Sequence, residues 1–591
     1  MSQGALIFTI ITFVIVTALV GIISAKIVKK SDNQKTAKGY FLAGNGLGGL
    51  FIAGSMLLTN LSAENLVGLS GQSYGFNMSG IAWESTAVIA TIIMAFLFLP
   101  LYLKKGYTTL PEFMEDRFGV GVRRLISVLF LIGYLFIGIP VALYAGAIAF
   151  NQIFDLPTLF GISTQTGLTI LIIAVGIIGA LYAVLGGLKA VAVSDTINGI
   201  VLIVGLVLVV GFGLYVLGTK DGGSVWEGLQ HIINKNPEKL NAIGSDTDPV
   251  PFRTIFGGML LANLFYWGTN QVLIQRTLGA KNLKEGQKGV LLSGFLKMII
   301  PFLMVLSGVI AFALIPDLEV NDFAYPALVA KSLPWPLIGI FCAALFGAVI
   351  STYNSFLNAA STVFVVDLYK PMFNPNMSDE KTVKFAKNIG WGFALFAIIF
   401  TPFLQVLDQG LYNFGRSFTG FYNIPIIVIV LIGMFTKRGS IKGAFVATGF
   451  HIFLYSGYKF WFAGLNLEFT NRIVAMNYLD IYLISAVVMV IILLLMGNKN
   501  AKKFDKGSIK DKNYDMTPWK HKNEMAVWLI SLLVYQYFLL SPAGFATETK
   551  NYPLIIGATV FIVVETLIIL IYAKAKSKRL ASVEENQINK K

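Results

Sequence analysis

Long apolar runs separated by short polar connections fill most of the 591 residues. Many of these runs reach the roughly 20 residues that an α-helix needs to cross the hydrocarbon core of a bilayer. The pattern predicts an all-α polytopic membrane protein with about 15 transmembrane helices, or about 14 if the last weak pair is miscounted. The predicted spans cover residues 5–25, 47–69, 80–103, 124–152, 167–187, 194–218, 254–275, 289–315, 335–366, 385–407, 412–436, 441–463, 477–496, 524–542 and 552–573.

The charges in the connections predict which side of the membrane each connection faces. If the N-terminus lies outside, alternate connections carry most of the Lys and Arg, which is the bias typical of cytoplasmic loops. This distribution accounts for most of the net charge of +15 without a nucleic-acid partner, and it places the basic C-terminal tail in the cytoplasm. The first run is longer than a signal-peptide core, so we expect a retained helix. The basic residues assigned to the cytoplasm between spans three and eight are Lys104, Lys105, Arg117, Arg123, Arg124, Lys189, Arg276, Lys281, Lys284 and Lys288.

Composition agrees with a membrane protein and argues against a soluble enzyme. Hydrophobic residues make up 55% of the chain and charged residues 13%, whereas soluble proteins have about 25% charged residues. The mean hydropathy is +0.71. The single cysteine, Cys342, excludes an internal disulfide, and the three histidines lie far apart, so we expect no metal-ligand cluster.

Two predicted spans are interrupted by polar residues. They crowd residues 59–65 of span two and residues 263–271 of span seven. A continuous helix would point some of them into lipid, so we expect each helix to break and line a cavity; an ordinary interhelical hydrogen-bond cluster is the alternative. Four spans follow each interruption, which predicts a five-plus-five inverted-repeat transporter core. The expected units are an N-terminal helix and basic loop (1–35), two five-helix repeats (36–250 and 251–440), and accessory helices with a basic tail (441–591).

Four of the charged residues inside predicted spans stand out, because a lone charge there is costly and usually marks a pathway or a site. Glu84 in span three and Lys297 in span eight each need an opposite charge or a polar ligand nearby. Asp195 opens span six, where a helix N-cap at the cytoplasmic interface is the alternative. Arg416 lies near the start of span eleven, and its alternative is an extended side chain that reaches the outer surface or pairs with a nearby carboxylate.

Span nine carries hydroxyl groups on one helix face. Ala348, Ser351 and Thr352 fall at i, i+3 and i+4. Hydrogen bonds from the hydroxyls back to their own helix are the alternative reading. Beside the free carbonyls of a broken helix, two hydroxyls would complete a small all-oxygen cage that suits a hard monovalent cation.

Several segments carry a family resemblance: Tyr40-Phe41-Leu42-Ala43-Gly44, Asn60-Leu61-Ser62-Ala63-Glu64, Asn263 with Tyr266-Trp267-Gly268, Gln275-Arg276-Thr277-Leu278, Lys297, and Ala348 through Ser355. In this order and spacing they resemble the sodium/solute symporter family, in its sodium/glucose and sodium/galactose branch. The resemblance runs from about residue 35 to 440. It implies a LeuT-like five-plus-five core with unwound first helices, transport rather than enzymatic activity, and no cofactor besides the co-transported sodium ion.

The resemblance also implies roles for individual residues. The implied sodium ligands are the carbonyls of Leu58, Leu61 and Ala348 and the hydroxyls of Ser351 and Thr352. The implied solute-binding positions are Asn60, Asn65, Glu84, Asn263, Lys297 and Arg416. The implied gates are Tyr266 on the inner side and Leu69, Trp83 and Tyr412 on the outer side. Asp195 matches an acidic residue linked to sodium exit or, in some members, to a second sodium ion, and the number of sodium ions stays open.

Three positions depart from the galactose-transporting members. Asn65 stands in place of a glutamine, Ala87 in place of a serine, and Arg416 in place of a sugar-binding glutamine. A permanent cation with a bidentate fork suits a carboxylate or a sulfate.

From the residues and the resemblance together, we expect a sodium-coupled symporter of the bacterial plasma membrane that imports a sugar or sugar-like solute by alternating access. An acidic solute, such as a uronate, a sulfated sugar or a monocarboxylate, is the alternative; a passive channel and a membrane enzyme are the rival classes.

Overall fold

The structure, a computed structural model, describes residues 3–29, 36–154, 156–219, 223–406, 411–497 and 514–588. Within these residues helices dominate, and the only bridge between extended segments joins Leu47 to Ala280. The helices are α1 Gln3–Lys29, α2 Ala37–Leu42, α3 Gly49–Asn60, α4 Ala63–Gly75, α5 Met78–Lys105, α6 Leu110–Phe118, α7 Val120–Phe154, α8 Leu156–Phe160, α9 Thr164–Gly218, α10 Val225–Lys235, α11 Gly258–Gly268, α12 Gln271–Leu278, α13 Leu283–Leu314, α14 Ala324–Ser332, α15 Trp335–Phe373, α16 Asp379–Phe400, α17 Leu411–Phe435, α18 Ile441–Ser456, α19 Glu468–Val474, α20 Tyr478–Leu495, α21 Lys522–Leu539 and α22 Tyr552–Ile588.

The described part of the chain contains ten segments that are long and apolar enough to cross a membrane, and the bent pair α3 and α4 would make eleven. Two of the ten, Thr164–Leu181 and Val191–Gly218, lie within the long helix α9. Each predicted span lies on a described helix, which confirms a polytopic all-helical membrane protein. The total of about 15 stays a prediction, because four predicted spans are not among these eleven. In α1 only Ile7–Val20 is found as an apolar helix, α18 and α21 are shorter or less apolar than a full span, and α11 is too short to cross alone.

The predicted interruption of span two is confirmed. Helices α3 and α4 meet at an angle of 58°. The Ser62 amide donates to the Asn60 carbonyl at 2.9 Å and not to the Leu58 carbonyl four residues back, so helical bonding stops there. The Ser62 hydroxyl then accepts from the Asn65 amide at 3.3 Å, which caps the start of α4. The sequence Asn60-Leu61-Ser62 thus ends one helix and begins the next.

The interruption of span seven is confirmed as well, between α11 and α12. The Asn270 side-chain oxygen accepts from the Val272 amide at 3.1 Å and caps α12. The Tyr134 hydroxyl donates to the same oxygen at 2.7 Å and fixes the break against α7. The Leu47 amide donates to the Gly279 carbonyl at 3.0 Å, so the start of α3 lies beside the end of α12. The two broken helices therefore run in opposite directions through the bundle.

Long helices hold the first break in place. Helix α13 packs against both α3 and α4, and α15 packs against α9 and α3. The approach of α4 to α13 is close: a Cβ added at Gly308 would lie 2.0 Å from the Ser70 carbonyl oxygen. The Ser70 and Ser73 hydroxyls donate to α13 carbonyls at 2.8 and 2.6 Å. Small residues and interhelical hydrogen bonds of this kind are what hold helices together in a membrane.

Candidate functional site

A small polar cavity lies beside the break between α3 and α4. Its volume is about 60 Å³. Residues from α3, α4, α5, α7, α11, α15 and α17 surround it, so both broken helices contribute to one site. The polar and aromatic residues that line it include Thr59, Asn60, Glu64, Asn65, Trp83, Glu84, Asn263, Tyr266, Trp267, Thr352, Arg416, Tyr422 and Asn423.

The buried charges of α5 and α13 meet at this cavity. The Lys297 ammonium group forms an ion pair with Glu84, and their side chains are only 1% and 3% exposed. The ammonium also lies 5.3 Å from the centre of the Trp267 ring, a cation–π contact. The structure thus confirms that each charge has an opposite partner. Lys297 lies behind Glu84, which itself lines the cavity.

Arg416 points into the cavity, so the alternative of an extended side chain at the outer surface is wrong. Its Nη2 donates to Asn65 Oδ1 at 2.9 Å and to Glu84 Oε1 at 3.3 Å. Its guanidinium carbon lies 5.2 Å from the centre of the Trp83 ring. Glu64 also lines the cavity, beside Gly415, the residue before Arg416. Two carboxylates and two cations therefore share this site, and Glu84 contacts both cations.

Three asparagines predicted to bind solute line the cavity, and the structure adds a threonine. Asn65 donates through Nδ2 to the Asn60 carbonyl, which ties it to the broken backbone. Asn263 donates through Nδ2 to Thr86 Oγ1 at 2.8 Å. Thr86 was not among the predicted site residues, although it follows Glu84 by only two positions. Its own Oγ1 donates to the Ala82 carbonyl at 2.6 Å, so Thr86 fixes the orientation of the Asn263 amide.

Two of the four predicted gate residues, Trp83 and Tyr266, line the cavity. Trp83 lies between Arg416 and Tyr478, whose ring stacks on it with centroids 6.3 Å apart. Tyr266 lines the cavity, and its hydroxyl interacts with the Asn60 side chain. Leu69 is fully buried on α4 but is not among the residues that line the cavity. The side chain of Tyr412 lies outside the described residues.

The two helices that carry the predicted sodium ligands touch at the first break. Thr352 Oγ1 donates to the Thr59 carbonyl at 3.2 Å, and the hydroxyls of Thr59 and Ser355 lie 3.1 Å apart. Ser351, one residue before Thr352, lies beside the carboxylate of Asp195. The remaining predicted ligands are buried on the same two helices or at the break; these are Leu58, Leu61 and Ala348.

A second charged cluster lies next to the contact between α3 and α15. Two of its residues, Asp195 and Arg276, are not where the sequence predicted them. Ser55 Oγ donates to Asp195 Oδ2 at 2.6 Å and accepts from Arg276 Nε at 3.2 Å, while Arg276 Nη2 donates to Ser355. Asp195 lies inside continuous α9, so the N-cap alternative is wrong. Arg276 was expected in a cytoplasmic connection but is fully buried. Hydropathy counts a charge as a loop residue, whereas here the opposite charge of Asp195 across Ser55 lets the guanidinium stay inside.

Two antiparallel broken helices around a polar, charge-paired cavity, inside a bundle of membrane-length helices, define a secondary transporter. The sequence model of the Sodium:solute symporter family matches residues 40–449, and the chain belongs to this family. Sodium is therefore the co-transported ion, and the protein is a transporter rather than an enzyme.

Similar proteins agree with this assignment. The chain is 40% identical over 540 residues to the "Uncharacterized symporter YidK" of Escherichia coli (strain K12), covering 90% of this chain and 91% of the relative. It is 30% identical over 439 residues to the sodium/glucose cotransporter of Vibrio parahaemolyticus, covering 71% and 78%. It is 29% identical over 441 residues to the human sodium/myo-inositol cotransporter 2, covering 70% and 64%. Its fold resembles that of a Na⁺-coupled sialic acid symporter, with a TM-score of 0.69 at 22% identity, covering 83% and 99%.

Proposed function

We propose that this symporter imports a sugar or sugar-like solute together with sodium by alternating access. The observation that carries the proposal is the contact between the cavity and the predicted sodium ligands. Thr352 lines the cavity and also donates to the Thr59 carbonyl at the break, so an ion held there would touch the same backbone that shapes the solute site. The sodium/glucose and sodium/myo-inositol relatives favour a polyhydroxylated solute.

The proposal includes a division of roles. Sodium binds the carbonyls of Leu58, Leu61 and Ala348 and the hydroxyls of Ser351 and Thr352. The solute is held by the amides and charges around the cavity, and Tyr266 closes it from the inner side. Because sodium stabilises the broken backbone that the solute site uses, loss of sodium inside weakens solute binding through linkage. The solute-binding side chains are Asn60, Asn65, Glu84, Asn263, Lys297 and Arg416.

The size of the cavity supports a gated site. Pockets for small ligands usually have volumes of about 300 Å³ or more, whereas this one has about 60 Å³. A hexose enters only if lining side chains such as Tyr266 and Arg416 move. We infer a five-plus-five LeuT-like core with about 15 spans, in which 36–250 and 251–440 are the two repeats. We place the N-terminus outside and the basic tail inside a bacterial plasma membrane.

An acidic solute is the second candidate, and Arg416 is the observation that favours it. A guanidinium that lines the cavity offers a bidentate site for a carboxylate or a sulfate. Its charge is already met by Glu84, however, and Glu64 and Glu84 balance Lys297 and Arg416. A neutral solute adds no uncompensated charge to this site, so we rank a neutral sugar first.

Uptake into proteoliposomes tests both candidates. Vesicles with an inward sodium gradient are offered labelled neutral solutes (glucose, galactose, myo-inositol) and acidic ones (glucuronate, a sulfated hexose), and potassium replaces sodium in the control. We expect concentrative, sodium-dependent uptake of a neutral sugar. Preferred uptake of an acidic solute would establish the second candidate. Uptake of the same size in both gradients would indicate a passive channel and refute the proposal.

A further inference from the structure

Two buried amide side chains near the sodium site have polar atoms that the protein does not satisfy. Within the described part of the chain, Asn358 Oδ1, Asn358 Nδ2 and Gln275 Oε1 are buried and have no hydrogen-bond partner. Asn358 is 5% exposed and Gln275 is fully buried. Buried polar atoms are nearly always hydrogen-bonded, and leaving them unpaired destabilises the fold. In a transporter, such atoms usually contact the transported ion or solute.

Asn358 lies on a polar stripe that starts at the predicted sodium site. Ser351, Ser355, Asn358 and Thr362 follow one another at intervals of three or four residues, so they share one face of α15. The stripe extends about 16 Å along the helix axis, at 1.5 Å per residue. A hard monovalent cation that leaves the hydroxyls of Ser351 and Thr352 would meet oxygen atoms along this face.

Helix α12 lies along the same stripe and brings Gln275 to it. Arg276 donates to Ser355 at one end of the contact, and Gln275 Nε2 donates to Thr362 Oγ1 at 3.3 Å at the other. Asn358 lies between these two contacts on the facing side of α15. The three unsatisfied amide atoms therefore lie at one buried contact between α12 and α15.

The short helix α2 borders the same contact between α12 and α15. Gln275 Nε2 also donates to the Phe41 carbonyl at 2.8 Å. Phe41 is fully buried against α15 and α16, with Val365 and Ala386 in the same apolar cluster. It also lines a separate cavity of about 430 Å³ with Lys38, Asn45 and Asp379, on the side assigned to the cytoplasm. Phe41, part of the Tyr40–Gly44 motif, thus touches both Gln275 and that cavity.

We propose that Asn358 and Gln275 form a second, weaker station for a monovalent cation on its way from the sodium site to the cytoplasm, and that Phe41 closes this station. The ligands are the amide oxygens of Asn358 and Gln275 with the Thr362 hydroxyl. An all-oxygen set without a carboxylate suits a partly hydrated sodium ion rather than a divalent cation. The inference rests on the proposed sodium-coupled cycle and adds the route by which the ion leaves.

The test compares two substitutions of Asn358 in proteoliposomes. Asn358→Asp adds a carboxylate to the station, so sodium inside the vesicles should inhibit uptake at about tenfold lower concentration than in wild type. Asn358→Leu removes the amide and should slow turnover about tenfold, with the half-saturating external sodium unchanged. Tyr353→Phe, which removes a buried hydroxyl from the opposite face of α15, is the matched control. A purely structural role for Asn358 predicts losses in both variants without a change in internal sodium inhibition, and that result would overturn the proposal.

Binding of ²²Na⁺ to the purified protein gives a readout that needs no solute. The station predicts a weak second binding component that is absent in Asn358→Leu and persists in Thr352→Ala. A single component in wild type, or a second component that Asn358→Leu retains, contradicts the station. If wild type shows this component but no sodium-driven uptake, the proposed function fails while the station stands.

Discussion

The contact of Glu84 with two cations predicts unequal effects of removing its partners. Glu84→Gln removes the carboxylate that both Lys297 and Arg416 contact, so the buried Lys297 loses its ion pair while Arg416 keeps Glu64 and Asn65 nearby. Lys297→Met leaves a carboxylate that still has Arg416 at 3.3 Å. At an effective dielectric constant near 20, the attraction across that distance is about 5 kcal/mol before desolvation is subtracted. We therefore expect Glu84→Gln to cost about 3–5 kcal/mol of stability, the usual range for an orphaned buried charge, and Lys297→Met to cost about 1–3 kcal/mol.

Thermal unfolding of the purified variants in detergent, followed by tryptophan fluorescence, checks this order. We expect the unfolding temperature to be highest for wild type, lower for Lys297→Met and lowest for Glu84→Gln. The double variant Glu84→Gln/Lys297→Met should unfold at a higher temperature than Glu84→Gln alone, because it removes the ammonium group whose ion pair Glu84→Gln breaks; the coupling should be about 1–3 kcal/mol. If Lys297→Met is as unstable as Glu84→Gln, or if the two losses simply add, the arrangement of charges described above is wrong.

Three further predictions follow from single contacts. Thr352→Ala removes one of about five oxygens from the sodium cage, which is worth ~1–3 kcal/mol, so half-saturating sodium for uptake should rise roughly 5- to 150-fold; an unchanged sodium dependence would show that the site lies elsewhere. Arg416→Gln should weaken binding of an acidic solute by roughly 10- to 150-fold and improve that of neutral hexoses; identical competition profiles would show that Arg416 does not select the solute. Gly308→Ala places a Cβ 2.0 Å from a carbonyl of α4 and should destabilise the protein by about 1–3 kcal/mol or more, whereas Gly449→Ala, with no atom within 4 Å, should be neutral or slightly stabilising.

The interruptions of the broken helices were predictable because the signals that produce them are local. Ser62 and Asn270 are N-cap residues, and each caps the helix that follows it. The polar clusters around them cannot face lipid, so the sequence also indicates a cavity at each break. The need of Glu84 and Lys297 for an opposite charge follows from burial alone.

The direction of long side chains was not predictable in the same way. Arg416 is compatible with both an inward and an outward orientation, since its flexible chain reaches either side of α17. Arg276 stands beside the lysines of a connection, and hydropathy therefore assigns it to that connection. The structure turns Arg416 toward Asn65 and buries Arg276 beside Ser55. Both outcomes depend on helices that are remote in sequence.

The sequence by itself determined that this chain crosses a membrane many times, that two of its helices break, and that charges and hydroxyls line the interior. These properties follow from hydropathy, capping and the cost of a lone charge, all of which act within one helix or its first turn. The tertiary structure alone decided which groups meet. Lys297 reaches Glu84 across 213 residues and Arg416 reaches it across 332. A pairing of that range is set by how α5, α13 and α17 pack, because a buried charge accepts whichever opposite charge the neighbouring helices present.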